Sequence, residues 1–286
     1  MLVPDETMAP NPSCKPASFS TAATNGKRVA LITGGSGGIG RETAQLFAAR
    51  GFIVYELSRS GVSNGPITHI TADVTDEASV ASALSEIHTQ TGRIDVLVNN
   101  AGFGISGAVE HTSLADMKRQ FDVNFFGLIA ASKAALPYLK RSAGRIVNVS
   151  SVAAVLPIPF QSMYSASKAA INALTLALRN EVAPFGVSVC AVMPGDVKTG
   201  FTAAREKVSA PNSDYESRIV RSVASMEHDE QAGMSPACVA KSIYRAATES
   251  KPRPLRVVGG KYRLFTLLAK FFPAGLINWL VGKMYG

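Results

Sequence analysis

The sequence predicts an α/β fold, with one doubly wound parallel sheet and helices on both faces. Three observations point there. Short β-branched runs alternate with longer segments of helical periodicity, as in successive βαβ units. The runs are almost continuously apolar (VALIT, VLV, VSVCAV), as expected of strands buried on both faces. No linker interrupts the alternation over residues 27–260, so the body reads as one domain. Its appendages are a Pro/Ser/Thr/Ala-rich flexible tail at 1–26, a polar lid-like excursion at 200–233 and a basic amphipathic C-terminal helix at 261–286.

Taken in order, 28–33 (RVALIT) is expected as the first strand and 41–50 as its helix. Residues 53–58 give the second strand, 68–70 a short third, and 77–91 a helix. The fourth strand falls at 94–98, followed by a helix long enough to fill 114–139. A fifth strand at 145–149, a helix at 166–182, a sixth strand at 187–192 and a seventh at 255–258 complete the sheet.

Composition narrows the function classes. At 47% apolar residues the 286-residue chain can bury a sizeable core, and no run approaches the roughly 20 apolar residues that span a bilayer. The start of the chain has no apolar core of a secretory signal, and Asp5 and Glu6 speak against a transit peptide. Cys14, Cys190 and Cys238 are scattered, with neither disulfide nor metal-ligand spacing, so a reducing cytoplasmic setting and no metal are expected. The net charge is +8, yet residues 251–286 hold seven basic residues and no acidic one. The main body is therefore nearly neutral and is not expected to bind nucleic acid.

Directly after the first strand comes Thr33-Gly34-Gly35-Ser36-Gly37-Gly38-Ile39-Gly40. A glycine turn between strand and helix lets backbone N–H groups approach a pyrophosphate at the helix N-terminus. Gly34, Ser36, Gly38, Ile39 and Gly40 are the candidates. At the end of the second strand, Glu56 lies inside the apolar run and should point away from a ribose. Ser58 and Arg59 sit at the strand's edge, where a basic side chain suits a 2′-phosphate, so NADP(H) is favoured over NAD(H). Asp73 and Val74 follow the third strand, and Asn99, Asn100, Ala101 and Gly102 the fourth. Their polar side chains could reach adenine and ribose, or simply shape turns.

Tyr164 and Lys168 are spaced i, i+4 and so share a helix face. A lysine cation favours phenolate and should bring a tyrosine nearer neutral pH as a general base. Ser151, thirteen residues earlier at the end of the fifth strand, could hold a carbonyl or alcohol oxygen.

With these motifs in order over roughly 27–260, the chain resembles the short-chain dehydrogenase/reductase family, in the subgroup with TGxxxGxG and YxxxK signatures. Thr33 to Gly40, Asn99 to Gly102 (NNAG) and Tyr164 to Lys168 carry the likeness, with Asn124 (VNFFG) and Pro194-Gly195-Asp196-Val197-Lys198-Thr199. The overall likeness is greatest to hydroxysteroid 17β-dehydrogenase-like and acyl-dihydroxyacetone-phosphate reductase-like members. The resemblance implies a Rossmann-type sheet and a homodimer or homotetramer. It makes Tyr164 the general acid/base, with Lys168 lowering its pKa and holding the nicotinamide ribose. Ser151 would polarise the substrate oxygen and Asn124 would support a water-linked relay through Lys168. Pro194, Gly195, Val197 and Thr199 would lie around the nicotinamide. One departure is Gly37, where NADP-preferring members often carry a basic residue, so the NADP(H) preference rests on Arg59 with Arg41 as a helper.

The apolar run 152–160 after Ser151, with Phe201 at the start of the excursion, suggests a lipophilic ketone or secondary alcohol of steroid, retinoid or acyl-chain type. Ordinary core under a lid would read the same way. Segment 261–285 mixes Leu, Phe and Trp279 with lysines and is broken by Pro273, which suits a membrane-surface contact, a greasy lid or a subunit contact. A catalytically silent NADP(H) sensor and a membrane-peripheral scaffold on the same fold are the rival readings. Retention of Asn124, Ser151, Tyr164 and Lys168 speaks against the sensor, and a turnover assay would decide for or against the scaffold.

Overall fold

A computed structural model of the chain describes residues 26–286. The tail expected at 1–26, with Cys14, lies outside the described residues but for Gly26.

Seven parallel strands form the central sheet: β1 (Val29–Thr33), β2 (Ile53–Ser58), β3 (Ile67–Thr71), β4 (Val96–Asn99), β6 (Arg145–Val149), β7 (Ser188–Pro194) and β9 (Leu255–Val258). Their order is β3-β2-β1-β4-β6-β7-β9. Ala30 pairs with Val54 of β2 on one side and with Val96 of β4 on the other, so the strand order reverses at β1 and β4. A crevice outside the carboxyl ends of the strands at such a switch point is where ligands bind in open α/β sheets. Two two-residue strands, β5 (Ile105–Ser106) and β8 (Glu206–Lys207), pair separately.

Successive strand residues face opposite sides. Leu31, Leu57, Leu97 and Ile146 join Leu84 of α2 (Glu77–Thr91) and Leu139 of α4 (Gly127–Ser142). Their neighbours Ile32, Val98, Val147 and Val192 join Phe47 of α1 (Gly38–Ala49) and Ile243 of α8 (Pro236–Thr248). Both layers are fully enclosed, which explains why the strands read as unbroken apolar runs. Local signals set helix ends: Asp76 caps α2 by accepting from the amides of Ala78 and Ser79, and Gly92 ends it at φ 71.

Several boundaries differ from the sequence expectation for identifiable reasons. The fourth strand begins at Val96 rather than 94, because the Asp95 carboxylate accepts the Val29 N–H at 2.8 Å and a forked pair of bonds from Arg93. The helix expected over 114–139 is α3 (Leu114–Phe121), a π turn (Asp122–Phe126) and then α4. The helix expected over 166–182, α5 (Ser162–Val182), starts a turn before 166, so Tyr164 lies within it. The excursion holds α6 (Phe201–Ala204), β8 and α7 (Glu216–Gln231), whose buried Ile219, Val223 and Met226 pack with Phe160 and Ala210. In place of one C-terminal helix there are two, α9 (Gly260–Leu268) and α10 (Ala274–Tyr285), divided at Pro273, which cannot continue α9. Among the described residues no helix is long and apolar enough to cross a membrane.

Candidate active site

The site is built at the carboxyl ends of β1, β2, β4, β6 and β7. Gly34 and Gly38 adopt left-handed backbone, at φ 65 and 51. Gly40 approaches so closely that a Cβ there would lie 2.2 Å from the Gly34 carbonyl oxygen. The turn is clamped from β4: the Asn100 amide donates to the carbonyls of Thr33 and Gly34, each at 3.0 Å. In return, Thr33 Oγ1 accepts the N–H groups of Asn100 and Ala101 at 3.0 and 3.1 Å. The Asn100 side chain therefore shapes the glycine turn.

These residues fit a dinucleotide. Helix α1 begins without a side-chain cap and with no acidic residue in its first turn, leaving its first N–H groups for an anion. Gly37 faces open space, since a Cβ there would meet nothing within 4 Å, and the Gly38 Cβ position lies 3.5 Å from Thr199 Cβ. Ser36 and Ile39 flank this turn. Arg41 donates back to the Ser36 carbonyl at 2.6 and 3.0 Å, which braces the loop from outside.

At the end of β2, Glu56 is buried beneath Gly35 and Gly61 and is paired with His69. Ser58 donates to Ser60 O at 3.1 Å, and the Arg59 side chain is exposed. Asp73 accepts the amide and hydroxyl of Thr75 at 2.9 and 2.8 Å. The backbone bond is the chief reason its carboxyl is held below the usual range, with the charge of Arg59 a smaller contributor. Val74 is buried, its Cγ2 2.8 Å from where a Cβ on Gly127 would be.

The four candidate catalytic residues come together. Asn124 sits in the π turn, a geometry that often marks functional sites. Its Oδ1 accepts from Phe103 N at 2.9 Å, and its Nδ2 donates to Phe103 O at 3.0 Å and Ser167 Oγ at 3.2 Å. Gly102 keeps the space between them open: a Cβ there would lie 3.0 Å from Asn124 Oδ1 and 3.7 Å from Lys168 Nζ. Lys168 is buried and donates to Val149 O at 3.0 Å, with its ammonium 5.6 Å from the Tyr164 ring centre. Ser151 accepts from Ala153 N at 3.1 Å, and its hydroxyl acts to lower the pKa of Tyr164.

The electrostatics depart from the expectation of a lowered tyrosine pKa. Tyr164 is partly accessible, but protein crowds its hydroxyl, and this loss of water pushes the phenol up to about 12 against the lowering influence of Ser151. Burial likewise pushes Lys168 down to about 8, so near neutral pH it is close to shedding the charge that would stabilise phenolate. Desolvation outweighs the i, i+4 pairing because both groups lie on the inner side of the helix. Both shifts favour the neutral forms of the two side chains.

Farther round, Pro194 ends β7 and Gly195 lies under the Tyr262 ring, whose Cε2 is 2.0 Å from where a Cβ would stand. The Tyr262 hydroxyl bonds Asp196. Val197 is buried and bridges Met234, while Thr199 accepts from Phe201 N at 3.1 Å. The Phe201 ring centre is 5.8 Å from that of Tyr164. The excursion is pinned by buried Arg205, which pairs with Glu230.

Sequence reasoning missed the support beneath the site. Asn99 Nδ2 donates to Ser132 Oγ and to Asn148 Oδ1, both at 2.9 Å, and Asn148 donates to Thr175 Oγ1 at 2.9 Å. A signal existed, since asparagine inside the apolar run RIVNV demands a partner.

A switch-point crevice with an uncapped glycine turn, beside a Ser-Tyr-Lys cluster, defines a dinucleotide-dependent oxidoreductase. The chain belongs to the short-chain dehydrogenase family, whose model matches residues 28–209. It is 40% identical over 263 residues to the 3-ketodihydrosphingosine reductase of Bacteroides thetaiotaomicron, spanning 90% of this chain and 98% of that one. Among solved structures it is similar to a short-chain dehydrogenase from Streptomyces avermitilis (TM-score 0.78, 30% identity, 86% of this chain and 92% of the other). It is also similar to ElxO with NADP bound (TM-score 0.70, 29% identity, 83% and 99%). The chain is thus an oxidoreductase of carbonyl and alcohol groups that uses a nicotinamide cofactor.

Proposed function

We propose that the chain is an NADPH-dependent reductase of a lipophilic, long-chain ketone, with Tyr164 as general acid. The observation that carries this reading is the convergence of Ser151, Tyr164 and Lys168 beside the uncapped glycine turn, where loss of water pushes the Tyr164 phenol up to about 12. At neutral pH such a phenol donates rather than accepts, which suits ketone reduction. NADPH, when bound, supplies the hydride. Ser151 holds the carbonyl oxygen, and Tyr164 passes its proton to that oxygen as charge develops there. Lys168 holds the nicotinamide ribose and, with Asn124, returns a proton to Tyr164. Gly34, Ser36, Gly38, Ile39 and Gly40 cradle the pyrophosphate. Ser58, Asp73, Val74, Asn100, Ala101 and Gly102 flank adenine and ribose, while Pro194, Gly195, Val197 and Thr199 enclose the nicotinamide.

The preference for the 2′-phosphate is supported by two features at the end of β2. Glu56 is buried beneath the glycine loop, with Oε1 on His69 and Oε2 closed off from solvent, so its carboxylate is not presented to a ribose hydroxyl, and Arg59 is exposed. The long-chain class is supported by half-buried Leu156 and Ile158 after Ser151, by Phe201 over Tyr164, and by the likeness to a reductase of 3-ketodihydrosphingosine. A cytoplasmic homodimer or homotetramer belongs to the same proposal; Leu114, Phe126 and Leu176 supply exposed apolar positions for contact.

The test is NADPH oxidation against long-chain 3-keto amino alcohols, acyl ketones, steroids, retinoids and small aromatic ketones. A long-chain ketone should exceed the small ones at least about tenfold in kcat/KM, the scale of a few buried methylenes. Equal turnover of small soluble ketones would sink the substrate class, and no oxidation with any of them would sink the reductase.

A further inference from the structure

Residues 264–284 carry nine of the sixteen large apolar side chains exposed among the described residues, with Phe271 at 78% and Trp279 at 57%. Soluble proteins seldom gather so much apolar surface without a use for it. The inward face of α9 and α10 is already occupied. Tyr262, Thr266 and Val281 are buried, the Tyr262 hydroxyl bonds Asp196, and the Tyr285 hydroxyl donates to Asp229 at 2.7 Å. The apolar side chains therefore face outward, which removes the reading of this segment as a greasy lid over the catalytic pocket.

Charge selects the occupant of that outer face. Residues 251–286 hold seven basic residues and no acidic one, and Lys261, Arg263, Lys270 and Lys283 are exposed within α9, α10 and the bend between them. In a two-fold contact with a second copy, the same patch meets itself, so these cations would face one another with no carboxylate of the segment to answer them. Apolar side chains set among lysine and arginine instead match acyl chains beneath anionic headgroups. We propose that α9, Pro273 and α10 dock the protein on an anionic bilayer surface, lying in the interface. The dock adjoins the substrate loop: Asn278 of α10 lines an open cleft of about 340 Å³ with Pro157, Ile158, Pro159 and the first turns of α5. The docking surface stands whichever ketone is reduced.

Trp279 is the only tryptophan in the chain, so its emission reports on this patch alone. The full chain is titrated with phosphatidylcholine vesicles and with vesicles of phosphatidylcholine and phosphatidylglycerol, in low and high salt. A blue shift with co-flotation is expected on the anionic vesicles, weakened at least about tenfold by high salt. Lys270→Glu with Lys283→Glu should weaken binding similarly, and Phe271→Ser with Phe272→Ser should abolish the blue shift. Both variants should retain wild-type turnover of a water-soluble ketone and an unchanged melting temperature, which separates loss of docking from loss of folding or of the reductase. Equal binding to neutral vesicles, or no shift on either, overturns the proposal. A blue shift without lipid that grows with protein concentration also overturns it, and assigns the face to a second copy.

Discussion

Helix α5 buries Ser167, Lys168, Asn172 and Thr175, groups that ordinarily face water, whereas α10 leaves Leu276, Trp279, Leu280 and Met284 exposed. On α5 almost every buried polar atom finds a partner: Lys168 at Val149 O, Ser167 at Tyr164 O and Thr175 at Ile171 O. On α10 little but Val281 and Tyr285 is engaged by the body. On the proposed mechanism the first helix departs from ordinary burial to hold a proton in place, which requires rigidity. The second departs from it at the surface, where its apolar side chains face outward. A departure backed by hydrogen bonds reads as chemistry within the fold; one left without them reads as a surface meant for something else.

The contrast can be broken at four points. Tyr164→Phe carries the largest effect, a loss of about 10²- to 10⁴-fold in kcat with dinucleotide binding unchanged, measured by turnover and by NADPH fluorescence titration. Substantial residual activity would return α5 to ordinary core. Lys168→Met should abolish most activity yet stabilise the fold. The folded lysine titrates near 8 against 10.5 in the open chain, so its penalty is fully present below pH 8 and fades as the pH rises from about 8 to 10.5. At pH 7 that penalty is on the order of 3 kcal/mol, less the bond to Val149, and chemical denaturation at pH 7 and 10 would show the gain shrinking. For the same reason reduction should slow as the pH rises through about 8. Arg59→Ala should raise the KM for NADPH about tenfold or more with little effect on NADH, the scale of one lost charged hydrogen bond. Equal changes would remove the 2′-phosphate assignment. Smallest of all, Phe271→Ser should shift stability by less than about 0.5 kcal/mol, because its side chain is exposed. A larger loss would mean that the outer face of the C-terminal helices is packed after all.

The glycine turn was legible because its demands are local: Gly34, Gly38 and Gly40 each answer a backbone condition that only glycine meets. The sheet was legible for the same reason, since strands buried on both faces leave unbroken apolar runs. Tyr164 and Lys168 could be placed on one helix, but the direction of the tyrosine's pKa could not be read, because desolvation depends on everything packed around the hydroxyl. The pairing of Glu56 with His69 and the chain from Asn99 through Asn148 to Thr175 were hidden likewise, each joining separate strands or helices. The outward aim of Phe271 and Trp279 depends on which face of α9 and α10 meets the body, and that is settled by Tyr262 and Tyr285.

The Tyr262 ring occupies the space that a side chain on Gly195 would fill, while its hydroxyl bonds the neighbouring Asp196. Glycine and tyrosine are therefore bound to one another across a separation of 67 positions and can drift only as a pair. A chain shortened at residue 260 would lose more than its tail: it would leave a hollow beside the loop that leads to Thr199, and that end of the crevice would inherit the slackness.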